Sequence, residues 1–193
     1  MTQPTDLTTL AAYKQWGGVT GSTDDALLGR LISAASLFIL GYLNTNIAQQ
    51  TYNERRDGWG GVEMPLLYGP VASVSSLVIN GQTIPASPDG IAAGYIIFPS
   101  SADGITAGLV LAGGYRFTRG RGNVFITYVA GFATTPLDVE QACLELVELR
   151  YKQRGRSDVQ SKTLQGEVIS YKLDAMSDSI IQGLDNYRRV APV

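Results

Sequence analysis

Histidine is absent from the sequence, and cysteine occurs once. Without histidine the chain lacks the usual general base near neutral pH and the commonest metal ligand. A single cysteine excludes an intramolecular disulfide and a cysteine cluster for zinc. Cys143 falls on the apolar side of a predicted helix, where we expect a small buried side chain rather than a nucleophile. We therefore expect no enzyme, no metal and no cofactor.

Charge is also scarce. Charged residues make up 17% of the chain, while hydrophobic residues make up 45%. The charged share of an average globular protein is about a quarter. Either the surface is rich in uncharged polar groups, or partner molecules cover part of it. The net charge of −2 and the pI of about 5.1 argue against general nucleic-acid binding.

Long apolar runs are missing as well. The most apolar stretch, around Leu37–Leu40, is interrupted nearby by serine, glycine and asparagine. No basic-then-apolar leader is present at the N-terminus. We therefore expect a soluble chain made in a cytoplasm, with no membrane partner.

Apolar periodicity predicts four helices. The first carries Leu7–Trp16 behind a cap at Thr5 or Asp6, and the second follows the capping run Ser22–Asp25 and continues to about Leu43. The second helix is expected to bury a face with Leu28, Ala35, Phe38 and Ile39. The third begins after Pro136, and the fourth follows a Ser177 cap. Residues 155–176 are expected to form a loop or arm.

Turn dipeptides mark a β-rich block between the second and third helices. Asp57-Gly58, Asn80-Gly81, Asp89-Gly90 and Asp103-Gly104 separate short runs of β-branched and aromatic residues. The predicted class is α+β: a helical bundle of two N-terminal and two C-terminal helices with an inserted antiparallel β-sheet or barrel-like block. The predicted domain limits are 1–50, 51–131 and 132–193.

The third helix has a narrow polar stripe and is predicted to be the central packing element. Residues at spacings of three and four form the stripe: Asp138, Gln141, Glu145, Glu148 and Lys152. Its carboxylates, together with Glu140, could serve glycosidic acid–base chemistry. A solvated or subunit-facing stripe is the preferred interpretation.

Three other features admit a functional interpretation. The run GGYRFTRGRG (113–122) predicts a hairpin with an arginine-rich tip, with contact to phosphate or to an acidic neighbour as the alternative. Tyr52–Asp57 has charges on both sides and indicates an edge strand. Trp59 could be a stacking residue if the β block bound carbohydrate or a receptor.

Short stretches along nearly the whole chain carry a family resemblance. They are LTTLAAYKQW (7–16), VTGSTDDALL (19–28), GPV (69–71), NG (80–81), RGRGNV (119–124), TY (127–128), AGF (130–132), Pro136, EQA (140–142), SK (161–162), GE (166–167), Tyr171 and YRR (187–189). In order and spacing these stretches resemble the head–tail connector, or head-completion adaptor, proteins of long-tailed bacteriophages.

The resemblance implies a structural virion protein of the neck. Such proteins form a ring, usually of twelve copies, below the portal. The ring extends the channel through which genomic DNA passes without sequence-specific binding, and it offers the surface where the stopper or tail-completion protein attaches. Another neck or tail-completion role is the near alternative.

The resemblance also suggests which residues carry this role. We expect the stripe Asp138, Gln141, Glu145, Glu148 and Lys152 to face a neighbouring subunit or the channel. The candidate contacts to the portal or a neighbour are Arg116, Arg119, Arg121, Tyr187, Arg188 and Arg189.

Overall fold

The computed structural model describes residues 5–99, 107–154, 161–164, 167–170 and 178–189. Its elements, in chain order, are α1 (Leu10–Gly17), α2 (Asp25–Leu43), β1 (Gln50–Gly58), β2 (Glu63–Pro65), β3 (Val71–Ile79), β4 (Gln82–Thr83), β5 (Gly94–Pro99), β6 (Ala107–Ala112), β7 (Gly120–Ala130), α3 (Leu137–Gln153), β8 (Ser161–Leu164), β9 (Glu167–Ser170) and α4 (Asp178–Asp185). The predicted α+β class is confirmed.

The chain divides into two compact units. The helical unit consists of Met1–Asn46 and Thr135–Val190, and the β unit consists of Ile47–Thr134 with Ala191–Val193. The domain limits drawn from the sequence remain a prediction.

Helix α3 is the centre of the helical unit, where it contacts α1, α2 and α4. The side chains that α2 and α3 bury are Leu28, Ile32, Ala35, Ser36, Ile39 and Leu43 from α2 and Val139, Ala142, Cys143, Leu144, Leu146 and Val147 from α3. Helix α3 is buried on most sides because its polar stripe is narrow. Removing the apolar sides from water is favourable, and only the stripe carries polar groups that favour contact with water. A short antiparallel hairpin of β8 and β9 also belongs to this unit.

Helix α3 begins after Pro136, as predicted, whereas α1 begins later than predicted. The N-cap of α1 is Thr9, whose Oγ1 accepts a hydrogen bond from the backbone N–H of Ala12 at 3.1 Å, so the predicted cap at Thr5 or Asp6 is wrong. The N-cap of α2 is Asp24, which makes no side-chain capping bond. Its carboxylate instead accepts a hydrogen bond from the Tyr151 hydroxyl. The predicted Ser177 cap lies outside the described residues.

The β unit contains two antiparallel sheets, with strand orders β1-β7-β3-β4 and β2-β6-β5. In the part of the chain that the structure describes, neither sheet closes, so the barrel-like variant of the prediction finds no support. Alternating inward residues supply the core: Met64, Leu66, Leu77, Ile79, Ile84, Leu109, Leu111, Phe117, Val124, Ile126, Tyr128 and Ala130.

The predicted hairpin at 113–122 is wrong. Strand β6, before the run, pairs with β2 and β5, whereas β7, after it, pairs with β1 and β3. The run therefore connects two different sheets. Buried Phe117 fixes it: its N–H donates to the Gly61 carbonyl at 2.9 Å, and its carbonyl accepts from the Gly60 N–H at 2.6 Å.

Helix α2 is more apolar than its sequence interruptions indicated. It has 19 residues and a mean hydropathy of 1.8, enough by length and composition for a membrane span, and 33% of that window is buried within the chain. The core helix of a soluble protein meets the same criterion. The expectation that no segment could span a membrane therefore does not follow from composition.

Candidate assembly surfaces

The polar stripe of α3 is held by bonds within the helical unit. Both carboxylate oxygens of Asp138 accept from the Tyr187 hydroxyl, at 3.0 and 2.9 Å. Glu148 accepts from the Tyr13 hydroxyl at 2.5 Å and pairs with Lys152 at 2.8 Å. These bonds fix the direction of the carboxylates without removing their charge, so α3 presents an ordered acidic surface.

A groove of about 230 Å³ runs beside this stripe. Its lining residues come from α3 and α4: Asp138, Gln141, Ala142, Glu145, Ile180 and Gly183. The amide nitrogen of Gln141 donates to Glu145 at 2.9 Å. The lining thus combines two carboxylates with the apolar side chains of Ala142 and Ile180.

The four carboxylates considered for acid–base chemistry have separate partners. Asp138 bonds to Tyr187, Glu145 to Gln141 and Glu148 to Tyr13, while Glu140 accepts from the Thr8 hydroxyl at 3.0 Å. Each contact links α3 to a neighbouring segment or steadies its own surface. Within the described ranges, no group of three or more acidic or cysteine side chains is arranged to hold a metal ion.

Tyrosine hydroxyls bonded to carboxylates connect the helices of this unit. Burial and the hydrogen bond to Asp138 raise the pKa of Tyr187 to about 12. Burial, followed by the bond to Glu148, raises the pKa of Tyr13 well above its ordinary value. Bonds to Asp24 and Asp185 raise the pKa values of Tyr151 and Tyr42. These hydroxyls therefore stay protonated donors at every physiological pH.

The C-terminal candidates lie against the helices. Besides the Tyr187–Asp138 bond, the Arg188 guanidinium lies 5.0 Å from the centre of the Tyr42 ring. The backbone N–H of Arg189 donates to the Leu43 carbonyl at 2.8 Å. Tyr187 thereby joins the C-terminal set to the α3 stripe, two groups that the sequence presented as separate.

The arginine-rich run lies in the β unit. Arg116 and Arg121 are exposed, and Arg119 donates from Nε to the Trp59 carbonyl at 3.3 Å. Trp59 is 59% exposed, and its indole N–H donates to the Glu63 carbonyl at 3.0 Å. Arg119 and Trp59 thus lie together and exposed, and arginine and tryptophan are both enriched in protein-interface hot spots.

Strand β1 is an edge strand, as predicted, but the sequence did not indicate that Glu54 of its charged run is buried. Glu54 is 7% exposed and accepts hydrogen bonds from the Tyr128 hydroxyl and from the Leu67 N–H at 3.1 Å. Arg56 pairs with its second oxygen at 3.3 Å. Burial and the hydrogen bond to Glu54 raise the pKa of Tyr128. The signal was available in the alternation of β1, which places Glu54 and Arg56 on one side.

Helix α2 leaves an apolar strip uncovered, which we call the α2 open face. Its members are Leu27, Arg30, Ala34, Leu37, Phe38 and Gly41, all exposed. Leu37 is 60% and Phe38 41% exposed. The prediction that Phe38 is buried is wrong, because the packed side of α2 is centred on Leu28, Ile32 and Ile39, and Phe38 lies beside it.

Comparison with known protein families identifies the chain. The family model described as "HCP: Head completion protein" matches residues 6–190. The chain belongs to this head completion protein family. The family resemblance inferred from the sequence is thereby confirmed. No curated protein sequence matches the chain.

Solved structures share the fold of this head completion protein. A chain from the "Neck of empty GTA particle computed with C6 symmetry" has a TM-score of 0.59 and 21% identity, with coverage of 100% of this chain and 95% of the other. A chain from the "Neck of native GTA particle computed with C12 symmetry" gives 0.57 and 20%, with coverage of 100% and 94%. A chain from the "Virion of native gene transfer agent (GTA) particle" gives 0.58 and 21%, with coverage of 100% and 95%.

Family membership defines the class of function. Head completion proteins are structural components of the virion, so the prediction that the chain is not an enzyme is confirmed.

Proposed function

We propose that this head completion protein is the adaptor of the virion neck. Copies of the chain, twelve in our proposal, form a ring below the portal, extend the DNA channel and present the surface on which the stopper or tail-completion protein attaches. The observation that carries the proposal is the family match over 6–190 combined with a fold shared along the full chain with neck proteins resolved in C12 symmetry. The chain is made in the host cytoplasm and resides in the virion neck.

The α3 stripe is proposed to face the channel. Asp138, Glu145 and Glu148 lie along one side of α3, and hydroxyl and amide donors hold them in position. Repeated around a ring, these carboxylates would line the lumen with negative charge. Such a wall repels DNA phosphates and allows the genome to pass without binding, in contrast to basic surfaces that retain it.

Two basic groups are proposed to contact the portal or the adjacent copy. One is the arginine-rich run with Arg116, Arg119 and Arg121, and the other is Tyr187 with Arg188 and Arg189. Guanidinium groups on a folded surface form bidentate bonds with carboxylates of a partner protein. The contacts of Tyr187 and Arg189 with α3 and α2 fix the second group in position before docking.

Electron microscopy of the purified chain mixed with the purified portal tests the ring. We expect a twelve-fold collar on one end of the portal. A portal that carries no collar at saturating concentrations of the chain would contradict the adaptor role and leave a different neck position as the assignment.

The portal contact has its own test. Substitution Arg188→Glu should weaken portal binding at least about tenfold, because it replaces the docked guanidinium with a carboxylate, which the acidic groups of the portal repel. Its fold should persist, because Arg188 is exposed. Deletion of residues 187–193 should abolish binding. Unchanged portal affinity in both variants, with circular dichroism showing intact helices, would refute the assignment of the C-terminal group.

The channel assignment is tested with a charge reversal. Glu145→Lys in every copy should slow DNA ejection, because twelve added cations bind phosphate. The matched control is Glu63→Lys, an exposed glutamate of β2. Equal ejection rates in Glu145→Lys and wild-type particles would place the stripe outside the channel.

A further inference from the structure

Helix α2 carries more apolar surface than the described part of the chain covers. Its mean hydropathy is 1.8, yet 33% of its apolar window is buried. Leu27, Leu37 and Phe38 are 36%, 60% and 41% exposed on one side. A helix this apolar is normally buried around most of its circumference. The α2 open face is therefore a surface that the described residues leave uncovered.

The spacing of the open face matches a helix–helix seam. Leu27, Arg30, Ala34, Leu37 and Gly41 follow one another at three and four residues, the repeat with which helices interlock. The strip from Leu27 to Gly41 is about 21 Å long at 1.5 Å per residue. A second helix could lie along it for about four turns.

Gly41 supports a close neighbour. Glycine lowers helix stability relative to alanine, so a glycine inside a helix usually has a packing reason. Nothing lies within 4 Å of a Cβ built on Gly41, so no group of the described chain needs the space. Together with Ala34, Gly41 lowers the surface of α2 where a helix from another molecule would approach.

The charged groups beside the face favour a protein over a lipid as its occupant. Arg30 lies within the strip, and the Arg150 guanidinium is 5.3 Å from the centre of the Phe38 ring. A lipid core would have to accommodate the Arg30 charge, which is costly. A protein interface accepts it, since arginine is enriched there and polar groups border the apolar centre.

We propose that the α2 open face is one side of the contact between adjacent copies of this chain. The inference rests on the proposed ring and adds to it the surface by which the ring closes. In a cyclic ring each copy uses two different faces, one toward each neighbour. Chains of this fold occur in necks resolved in C12 and C6 symmetry, so a second copy is the occupant at hand. The low charged fraction of the chain, 17%, agrees with a surface that assembly buries.

Cysteine protection tests the contact. Cys143 is buried, and burial raises the pKa of its thiol to about 11, so the native cysteine stays silent toward maleimide. Leu37→Cys provides a single reactive thiol on the open face. Ile91→Cys, on a residue of the β unit that is 82% exposed, is the matched control. Labelling of Leu37→Cys should be at least about tenfold slower in the portal-bound ring than in the free chain, while the control reacts equally in both.

The outcomes separate the two proposals. Equal labelling of Leu37→Cys in the free chain and in a ring seen by microscopy would overturn the contact and leave the ring intact. A wild-type chain that forms no ring on the portal would overturn the ring and the contact with it.

A charge on the face gives a second test. Leu37→Arg should leave circular dichroism and the melting temperature of the free chain unchanged, while copy–copy association becomes about thirtyfold weaker, the loss expected of a hot-spot residue. Ile91→Arg is the control. Normal ring assembly by Leu37→Arg would overturn the proposal. Flotation of the wild-type chain with phosphatidylcholine vesicles, lost in Leu37→Arg, would overturn it in favour of a lipid surface.

Discussion

The β unit and the helical unit differ in where their apolar side chains lie and in how their carboxylates are hydrogen-bonded. In the β unit two sheets bury a continuous set of large side chains, and a buried carboxylate, Glu54, has a donor for each oxygen. In the helical unit Asp138 and Glu148, on the polar stripe of α3, accept hydrogen bonds from tyrosine hydroxyls, and α2 keeps an apolar face open. Exposed large apolar side chains occur in both units, but in the helical unit Leu27, Leu37 and Phe38 share one side of a single helix, α2.

This difference separates residues that serve folding from residues that serve assembly. Substitutions at buried, fully bonded positions of the β unit should act on stability. Substitutions on α2 and at the edge of α3 should act on assembly and change stability little. The following predictions test that separation, from the largest expected effect to the smallest.

The largest loss of stability is expected for Glu54→Ala. It removes the acceptor of the Tyr128 hydroxyl and the Leu67 N–H and leaves Arg56 without its carboxylate. Each buried donor left without an acceptor costs about 1–3 kcal/mol, so the loss for the two donors should be about 2–6 kcal/mol. Urea denaturation should show this loss, whereas the exposed Glu63→Ala should change stability by less than about 0.5 kcal/mol. A loss below 1 kcal/mol for Glu54→Ala would show that its bonds are unimportant for the β unit.

Two glycine substitutions should have opposite signs. Gly131 has φ +113, and a Cβ there would lie 2.6 Å from the Ala48 carbonyl oxygen, so Gly131→Ala should destabilise by about 2–3 kcal/mol. Gly41→Ala adds a methyl group in open space on a helix and should stabilise the free chain by about 0.5–1 kcal/mol. The same Gly41 variant should assemble less well. Melting curves and ring assays of both variants measure this contrast, and equal signs for stability would contradict it.

A smaller effect is expected for Tyr13→Phe, which removes the hydroxyl bonded to Glu148. The loss should be about 1 kcal/mol at pH 7. Burial raises the pKa of Glu148, but the bonds from Lys152 and Tyr13 outweigh it, and the net pKa is lowered from 4.5. A lowered folded-state pKa means that this stabilisation is present above pH 4.5 and is lost as the pH falls below it. The difference between wild type and Tyr13→Phe should therefore shrink toward pH 3; a difference that grows there would contradict the bond.

The smallest effect belongs to Tyr187. Its pKa is raised from 10.0 to about 12, so its bond to Asp138 stabilises the fold below pH 10 and is lost as the pH rises toward 12. In absorbance titrations at 295 nm, wild type should differ from Tyr187→Phe by a phenolate transition near pH 12, while the late transitions of Tyr13, Tyr42, Tyr128 and Tyr151 are common to both. If the missing transition instead fell near pH 10, the bond to Asp138 would be absent in solution.

The periodicity of apolar residues was sufficient to predict the α+β class of the fold and the position of α3 at the centre of the helical unit. Apolar side chains recur with the helical or strand repeat wherever an element is covered, so the end of α2 at Leu43 and the edge position of β1 could be predicted. Pairing between distant strands leaves no such local signal. The connection at 113–122 therefore resembled a hairpin, although its two strands join different sheets.

The candidate sites were less predictable, because their partners are distant in sequence. Aspartate is a residue type that commonly caps helices, yet the side chain of Asp24 accepts a hydrogen bond from Tyr151, 127 residues away. Phe38 has the chemistry of a core residue, but its place beside the packed side of α2 depends on how α3 lies. Apolar residues that bind a second copy and apolar residues that build the core have the same pattern in the sequence.

A reconstruction of the neck from particles containing this chain, at a resolution that shows side chains, tests the central claim most directly. The account predicts a ring of copies in which Leu37 and Phe38 of each α2 lie within about 4.5 Å of side chains of the adjacent copy. A ring in which the α2 open face is bathed in solvent, with neighbouring copies joined elsewhere, would contradict it.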